Sequence, residues 1–175
     1  MKRSAMNHDI VNKDDEYGTP KEMYNAICKK FNIFPKLDAC ASEKNHVVNN
    51  YITEEDNALR LTDSFKVDFF VNPPYSKVEQ FMEHSWKQHR KWNTNALILV
   101  YAKTDTRWCH RWVESKYYDK LYNPDEKYLL SDGTNEVTRH FIQGRLRFIK
   151  NGQRTRNSAP YPSAWIVYHK DQAKG

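Results

Sequence analysis

Five apolar residues follow Asn95 without interruption in "NALILV" (95–100), and this stretch limits the fold more than any other. It is strand-sized, far too short to cross a bilayer, and it lacks the polar alternation of a strand with one wet face. A strand buried on both sides needs covering layers, which parallel sheets obtain from the helices connecting their strands. The flanking sequence supplies them. "KVDFFV" (66–71) reads as a second buried strand. After it, Ser76 and Glu79 form a capping box, and Val78, Phe81, Met82, Ser85 and Trp86 recur at helical spacing. "TDTRWCHRW" (104–112) starts another helix, with Trp108 and Trp112 on one face. Strand, helix, strand, helix predicts an α/β fold with a mostly parallel sheet. "FIQGRLRFIK" (141–150) and "SAWIVYHK" (163–170), joined only by a loop, predict an antiparallel strand pair at its C-terminal end.

Upstream, residues 1–16 are polar and aperiodic and read as a flexible arm, with order beginning at Tyr17. Thr19-Pro20-Lys21-Glu22 is a capping signature, threonine as cap and proline at the first helical position, for a helix presenting Met23, Ile27 and Phe31. "NIFPKLDACA" (32–41) predicts a short strand ending at Asp38, and 50–59 a strand and its exit. Residues 113–140 form the longest irregular connection, the natural place for a small recognition element within one domain spanning 17–172. The three cysteines, Cys28, Cys40 and Cys109, show no metal spacing and no disulfide framework, which points to a reducing compartment. With neither a signal peptide nor a spanning segment, the expected location is cytoplasmic, with no membrane partner and no metal.

In an open α/β sheet, ligands bind beyond the carboxyl ends of the strands. "FVNPPYS" (70–76) falls at such an end. Prolines fix φ and donate nothing, so the carbonyls of Asn72 and Pro73 are free of any continuing ladder. An amide oxygen, a rigid carbonyl and the Tyr75 ring are what a planar –NH2 group on a ring requires: two acceptors and a stacking face. The plain alternative is a proline-stiffened connection with Tyr75 in the core.

"YGTP" (17–20), "LDACA" (37–41), "EDNAL" (55–59), "VNPPYS" (71–76), "TDTRW" (104–108) and "GRLRF" (144–148), in that order, resemble the phage-type Dam family of DNA adenine-N6 methyltransferases over residues 16–170. The resemblance implies a single-domain Rossmann-like enzyme using S-adenosylmethionine, leaving S-adenosylhomocysteine, on double-stranded DNA. It makes Asn72, Pro73, Pro74 and Tyr75 the catalytic tetrapeptide, with adenine N6 bonded to the Asn72 amide oxygen and the Pro73 carbonyl. Tyr75 then stacks on a base flipped from the duplex. It assigns donor binding to Tyr17, Thr19, Pro20, Asp38, Ala39, Cys40, Asp56 and Leu59. Asp38 faces the donor's amino group and Asp56 its adenine amine. The usual glycine-rich turn is missing from "LDACASEKN" (37–45), where Ala39, Cys40 and Ala41 stand as the small residues.

The 28 Lys+Arg exceed the 22 Asp+Glu by +6, which suits a polyanionic partner. From Arg139 to Arg156 lie six basic residues, Arg139, Arg145, Arg147, Lys150, Arg154 and Arg156, and no acidic one. Arg145 and Arg147 share one face of their segment, opposite Leu146 and Phe148, and Arg107 and Arg111 extend the set beside the tryptophans. Such a face suits phosphate contacts, and it equally suits a sheet edge protected by charge. The tetrapeptide also fits methylation of RNA adenine or a protein glutamine amide, and a silent DNA-binding protein could keep the same fold. The sequence assigns no oligomeric state.

Overall fold

The computed structural model describes residues 17–114 and 137–174. In chain order the elements are α1 (Lys21–Phe31), β1 (Leu37–Asp38), β2 (Phe69–Val71), α2 (Val78–Trp92), β3 (Ala96–Tyr101), α3 (Arg107–Cys109), β4 (Val137–Phe141), β5 (Ile149–Lys150), β6 (Gln153–Arg154) and β7 (Ser163–Tyr168). The main sheet has the order β1-β2-β3-β7-β4. β1, β2 and β3 are parallel, β7 runs against β3, and β4 runs against β7, so four of five strands point one way. This is the mostly parallel α/β arrangement expected from the strand and helix alternation, and it agrees with the Rossmann-like fold that the resemblance implies.

All six residues of β3 are buried, because period-two side chains meet a layer on each side. Ala96, Ile98 and Val100 share a cluster with Phe69 and Val71 and with Phe81, Met82 and Trp86 of α2. Leu97, Leu99 and Tyr101 join Phe70, Trp165 and Val167 and meet Tyr24, Ile27 and Cys28 of α1 on the opposite face. Trp165, 2% exposed, fills the centre of that second layer. Trp165→Ala should lower unfolding free energy by about 3–5 kcal/mol in urea titration, with an unchanged urea slope.

Several local expectations give way to tertiary contacts. The helix cap at Thr19 is displaced by one residue: Pro20 occupies the N-cap position, no side chain caps it, and its carbonyl accepts from Met23 and Tyr24. Glu22, expected to reach back to the cap, pairs with Arg154. The inner face of α1 is Tyr24, Ile27 and Cys28, with Met23 and Phe31 only partly covered. Likewise Ser76 lies inside a 3-10 turn, Tyr75–Lys77, ahead of α2, and Glu79 pairs with Arg107. The helix at 104–112 is a short α turn continued by a π turn, His110–Glu114. Residues 50–59 contribute one parallel bridge, Tyr51 to Asp38, and then turns.

The partner of β7 is 137–141, not 141–150. Gly144 at φ +78° carries the chain out of the sheet. Residues 144–159 instead form an antiparallel excursion around Asn151-Gly152, both at positive φ, as a type I′ hairpin turn requires. Its arms continue to pair beyond the strands, Thr155 N donating to Phe148 O at 2.8 Å and Ala159 N to Leu146 O. Leu146 and Phe148 are buried while Arg145 and Arg147 are exposed, as their alternation predicts, without a sheet ladder. The arm at 1–16 and most of the recognition candidate at 113–140 lie outside the described residues.

Candidate active site

The carboxyl ends of β1, β2 and β3 lie at one edge of the sheet, where Tyr101 also pairs with Ser163 at the start of β7. β2 stops at Val71, so Asn72 and Pro73 leave the ladder there. Asn72 Nδ2 donates to the Tyr17 carbonyl at 2.8 Å, and Oδ1 has no partner among the described residues. Gly18 and Ile149 exchange a pair of main-chain hydrogen bonds, 2.8 and 2.9 Å, which draws the chain entering α1 across to β5. Tyr75 stacks on Tyr101 with ring centres 3.9 Å apart and planes 10° from parallel, and it meets Tyr17 and Phe148 at 6.2 and 6.3 Å.

These rings line a cavity of about 820 Å³. Trp108 and Tyr161 add further aromatic wall, Lys103, Lys150 and Arg156 add positive charge, and no described carboxylate lines it. Lys103 Nζ lies 4.3 Å from the Tyr161 ring centre and Lys150 Nζ 5.3 Å from that of Tyr17. A volume of this size with aromatic walls and a cationic rim can take a planar ring bearing an anionic group.

The residues assigned to the donor are placed unevenly. Only Tyr17 lines this cavity; Thr19, Pro20, Asp38, Ala39, Cys40, Asp56 and Leu59 do not. Thr19 is 5% exposed and its hydroxyl has no hydrogen-bond partner among the described residues. Asp38 is buried at the end of β1, its two carboxylate oxygens accepting from Val47 N (3.0 Å) and Cys40 N (3.4 Å). The glycine-less turn is therefore closed by its own aspartate. Asp56 is an exposed turn residue whose carboxylate accepts from the Thr53 hydroxyl at 2.8 Å and from Thr53 N, bonds that lower its pKa. Leu59 packs on the core beside Ala58.

Burial raises the Asp38 pKa from 3.8 to about 6, against the lowering effect of its two backbone donors. Burial lowers that of His89 from 6.5 to about 4, although its ring N–H donates to the Thr94 carbonyl at 2.6 Å. The consequences oppose each other. Stability from Asp38 is complete below its unfolded pKa and lost as pH rises through 6; stability from His89 is present above 6.5 and lost as pH falls through 4. Asp38→Asn removes the first and leaves the second. Its melting temperature relative to wild type should therefore fall progressively from pH 6.5 to pH 4, and a difference independent of pH would refute the buried charge assignment.

A model of the family described as DNA N-6-adenine-methyltransferase (Dam) matches residues 7–174. The chain belongs to this Dam family. It is also similar to the DNA N-6-adenine-methyltransferase of Haemophilus phage HP1, 33% identical over 95 residues, which is 54% of each chain. A second relative of that description, from Escherichia phage T1, is 29% identical over 94 residues, 54% of this chain and 39% of the other. The chain thus matches about half the length of the first relative and less of the second.

In this Dam-family chain the predicted basic set divides by partner. Arg139 is bound by Glu114, with Nε–Oε1 at 2.6 Å and Nη2–Oε2 at 2.9 Å, and also donates to Val113 O. Arg107 pairs with Glu79 at 3.0 Å and Arg154 with Glu22. Arg145 donates to the Ala159 and Pro160 carbonyls and Arg147 to Thr155 O at 2.9 Å, stapling the hairpin arms together. Arg111 lies over the Trp112 ring. Lys150 and Arg156 alone of the eight reach the cavity. Sequence reading missed Tyr101, Lys103, Phe148 and Tyr161 as site residues. Lys103 carried a usable signal, being the cation just beyond the carboxyl end of the clearest strand.

Proposed function

We propose that this chain transfers a methyl group from S-adenosylmethionine to N6 of an adenine flipped out of double-stranded DNA. The observation that carries the reading is the Asn72 amide just beyond the end of β2, which donates through Nδ2 to the Tyr17 carbonyl and so keeps Oδ1 as an acceptor. Family membership supports the same chemistry.

Asn72 Oδ1 and the Pro73 carbonyl accept the two N6 hydrogens, keeping electron density on a nitrogen whose lone pair otherwise delocalises into the ring. Tyr75, backed by Tyr101, offers the ring face for the flipped base. Lys103, Lys150 and Arg156 offset phosphate charge at the cavity. The surplus proton on N6 leaves to solvent, so no dedicated base is needed.

Bound S-adenosylmethionine would supply an electrophilic methyl group on a sulfonium. The residues fit such a donor at two points. The buried Thr19 hydroxyl lacks a partner among the described residues, a cost that a ligand polar group would relieve. Asp38, with two lone-pair positions filled by backbone N–H groups, retains acceptor capacity for an amino group. Residues 17–172 act as the catalytic domain, and 113–140 as its target-recognition element.

The test is transfer of a tritiated methyl group to duplex DNA, RNA and protein side by side. Label on duplex adenine N6 is expected; label confined to RNA or glutamine, or binding to DNA without transfer, would replace this reading with one of its rivals.

A further inference from the structure

We propose that the main-chain carbonyl of Tyr17 is a positioning group that locks the Asn72 amide in one orientation, so that position 72 must donate on one side in order to accept on the other. The consequence for turnover rests on the methyl-transfer reading; the lock itself does not.

The two arms of an asparagine amide are nearly the same shape, and the side chain can present either. Only the oxygen can accept from an amine. Rotation by half a turn would set –NH2 against –NH2, leaving buried donors unmatched. A carbonyl can only accept, so the Tyr17 oxygen, 2.8 Å from Asn72 Nδ2, selects the arm that faces it. The opposite arm is then always Oδ1.

This selection needs a carbonyl that does not move. Gly18, immediately after it, is buried and held by both hydrogen bonds to Ile149. A Cβ added at Gly18 would lie 2.9 Å from Asn45 Cβ, a side-chain stem that cannot swing aside. Asn45 is itself fixed, its Oδ1 accepting from Ser42 N at 2.6 Å. Glycine is therefore required at 18 for close approach, and any side chain there displaces the carbonyl that orients Asn72.

The experiment combines a spectroscopic and a kinetic readout. In a proton–nitrogen correlation spectrum of wild type, the Asn72 side-chain pair, identified by its loss in Asn72→Asp, should show one proton protected from exchange. Gly18→Ala should abolish that protection and lower kcat by about ten- to a hundredfold, the scale of a small misplacement, with KM for DNA unchanged. Gly18→Ala combined with Asn45→Gly, which removes the obstructing Cβ, should restore both. Asn72→Asp keeps an acceptor but at neutral pH cannot donate to Tyr17, and should turn over no faster than Asn72→Ala; this variant carries the test if Gly18→Ala does not fold. Loss of turnover with the amide still protected, release of the amide without loss of turnover, or a fully active Asn72→Asp would each overturn the proposal. A wild type that moves no methyl to DNA would remove the functional reading instead, while the exchange measurement would still decide the lock.

Discussion

Asn72→Ala should reduce methyl transfer to duplex DNA by about a hundred- to a thousandfold, the usual cost of removing one preorganised hydrogen-bonding group from a reacting centre. The proposed donor contacts are Thr19 and Asp38, neither of which bonds to Asn72, so S-adenosylmethionine should bind the variant with near-normal affinity in calorimetry. The fold should also survive, because Asn72 is half-buried and the one side-chain hydrogen bond it makes among the described residues joins it to Tyr17, which the Gly18–Ile149 bridge holds independently. Single-turnover transfer and donor titration on the same preparation separate the two effects. Retained transfer would eliminate the mechanism proposed for Asn72; equal loss of transfer and donor affinity would move Asn72 into the donor site.

Lys103→Gln with Arg156→Gln should weaken DNA binding at every sequence and flatten its salt dependence. Each phosphate contact contributes about 0.9 to the slope of log affinity against log salt, so losing two should reduce that slope by about 1.8. Neither side chain has a carboxylate partner among the described residues, and both line the cavity. Arg154→Gln is the informative comparison, because Glu22 already offsets that charge and a smaller change is expected. Anisotropy titrations over a salt series measure all three. A loss restricted to one target sequence would make Lys103 or Arg156 a base-reading residue, and an unchanged slope would remove both from the DNA surface.

The legibility of this chain followed the range of the interactions involved. The two-layered core was readable because burial on both faces leaves an unbroken apolar run, as in "NALILV", and helix faces recur at fixed spacing. The Asn72–Tyr75 segment was readable because proline chemistry acts within a few bonds. The Asn151-Gly152 turn is equally local, and its residues announce a type I′ hairpin. Helix caps were misplaced at both Thr19 and Ser76, since the preceding prolines and packing set where the first turn begins. Ion pairing was hidden altogether. Glu22 with Arg154, Glu79 with Arg107 and Glu114 with Arg139 join residues far apart in the chain, and no local pattern says which carboxylate will neutralise which arginine.

The amino-acid sequence by itself determined the α/β grammar, the strand that ends at Val71 and the presence of an amide, two prolines and a tyrosine just beyond it. Local stereochemistry and side-chain period are sufficient for those. Tertiary structure alone decided which arm of the Asn72 amide faces Tyr17, which cations are left at the cavity, and that Tyr101 backs Tyr75. Each of these depends on atoms brought together by folding from distant points of the chain, where a few ångströms separate a neutralised charge from one available to a ligand.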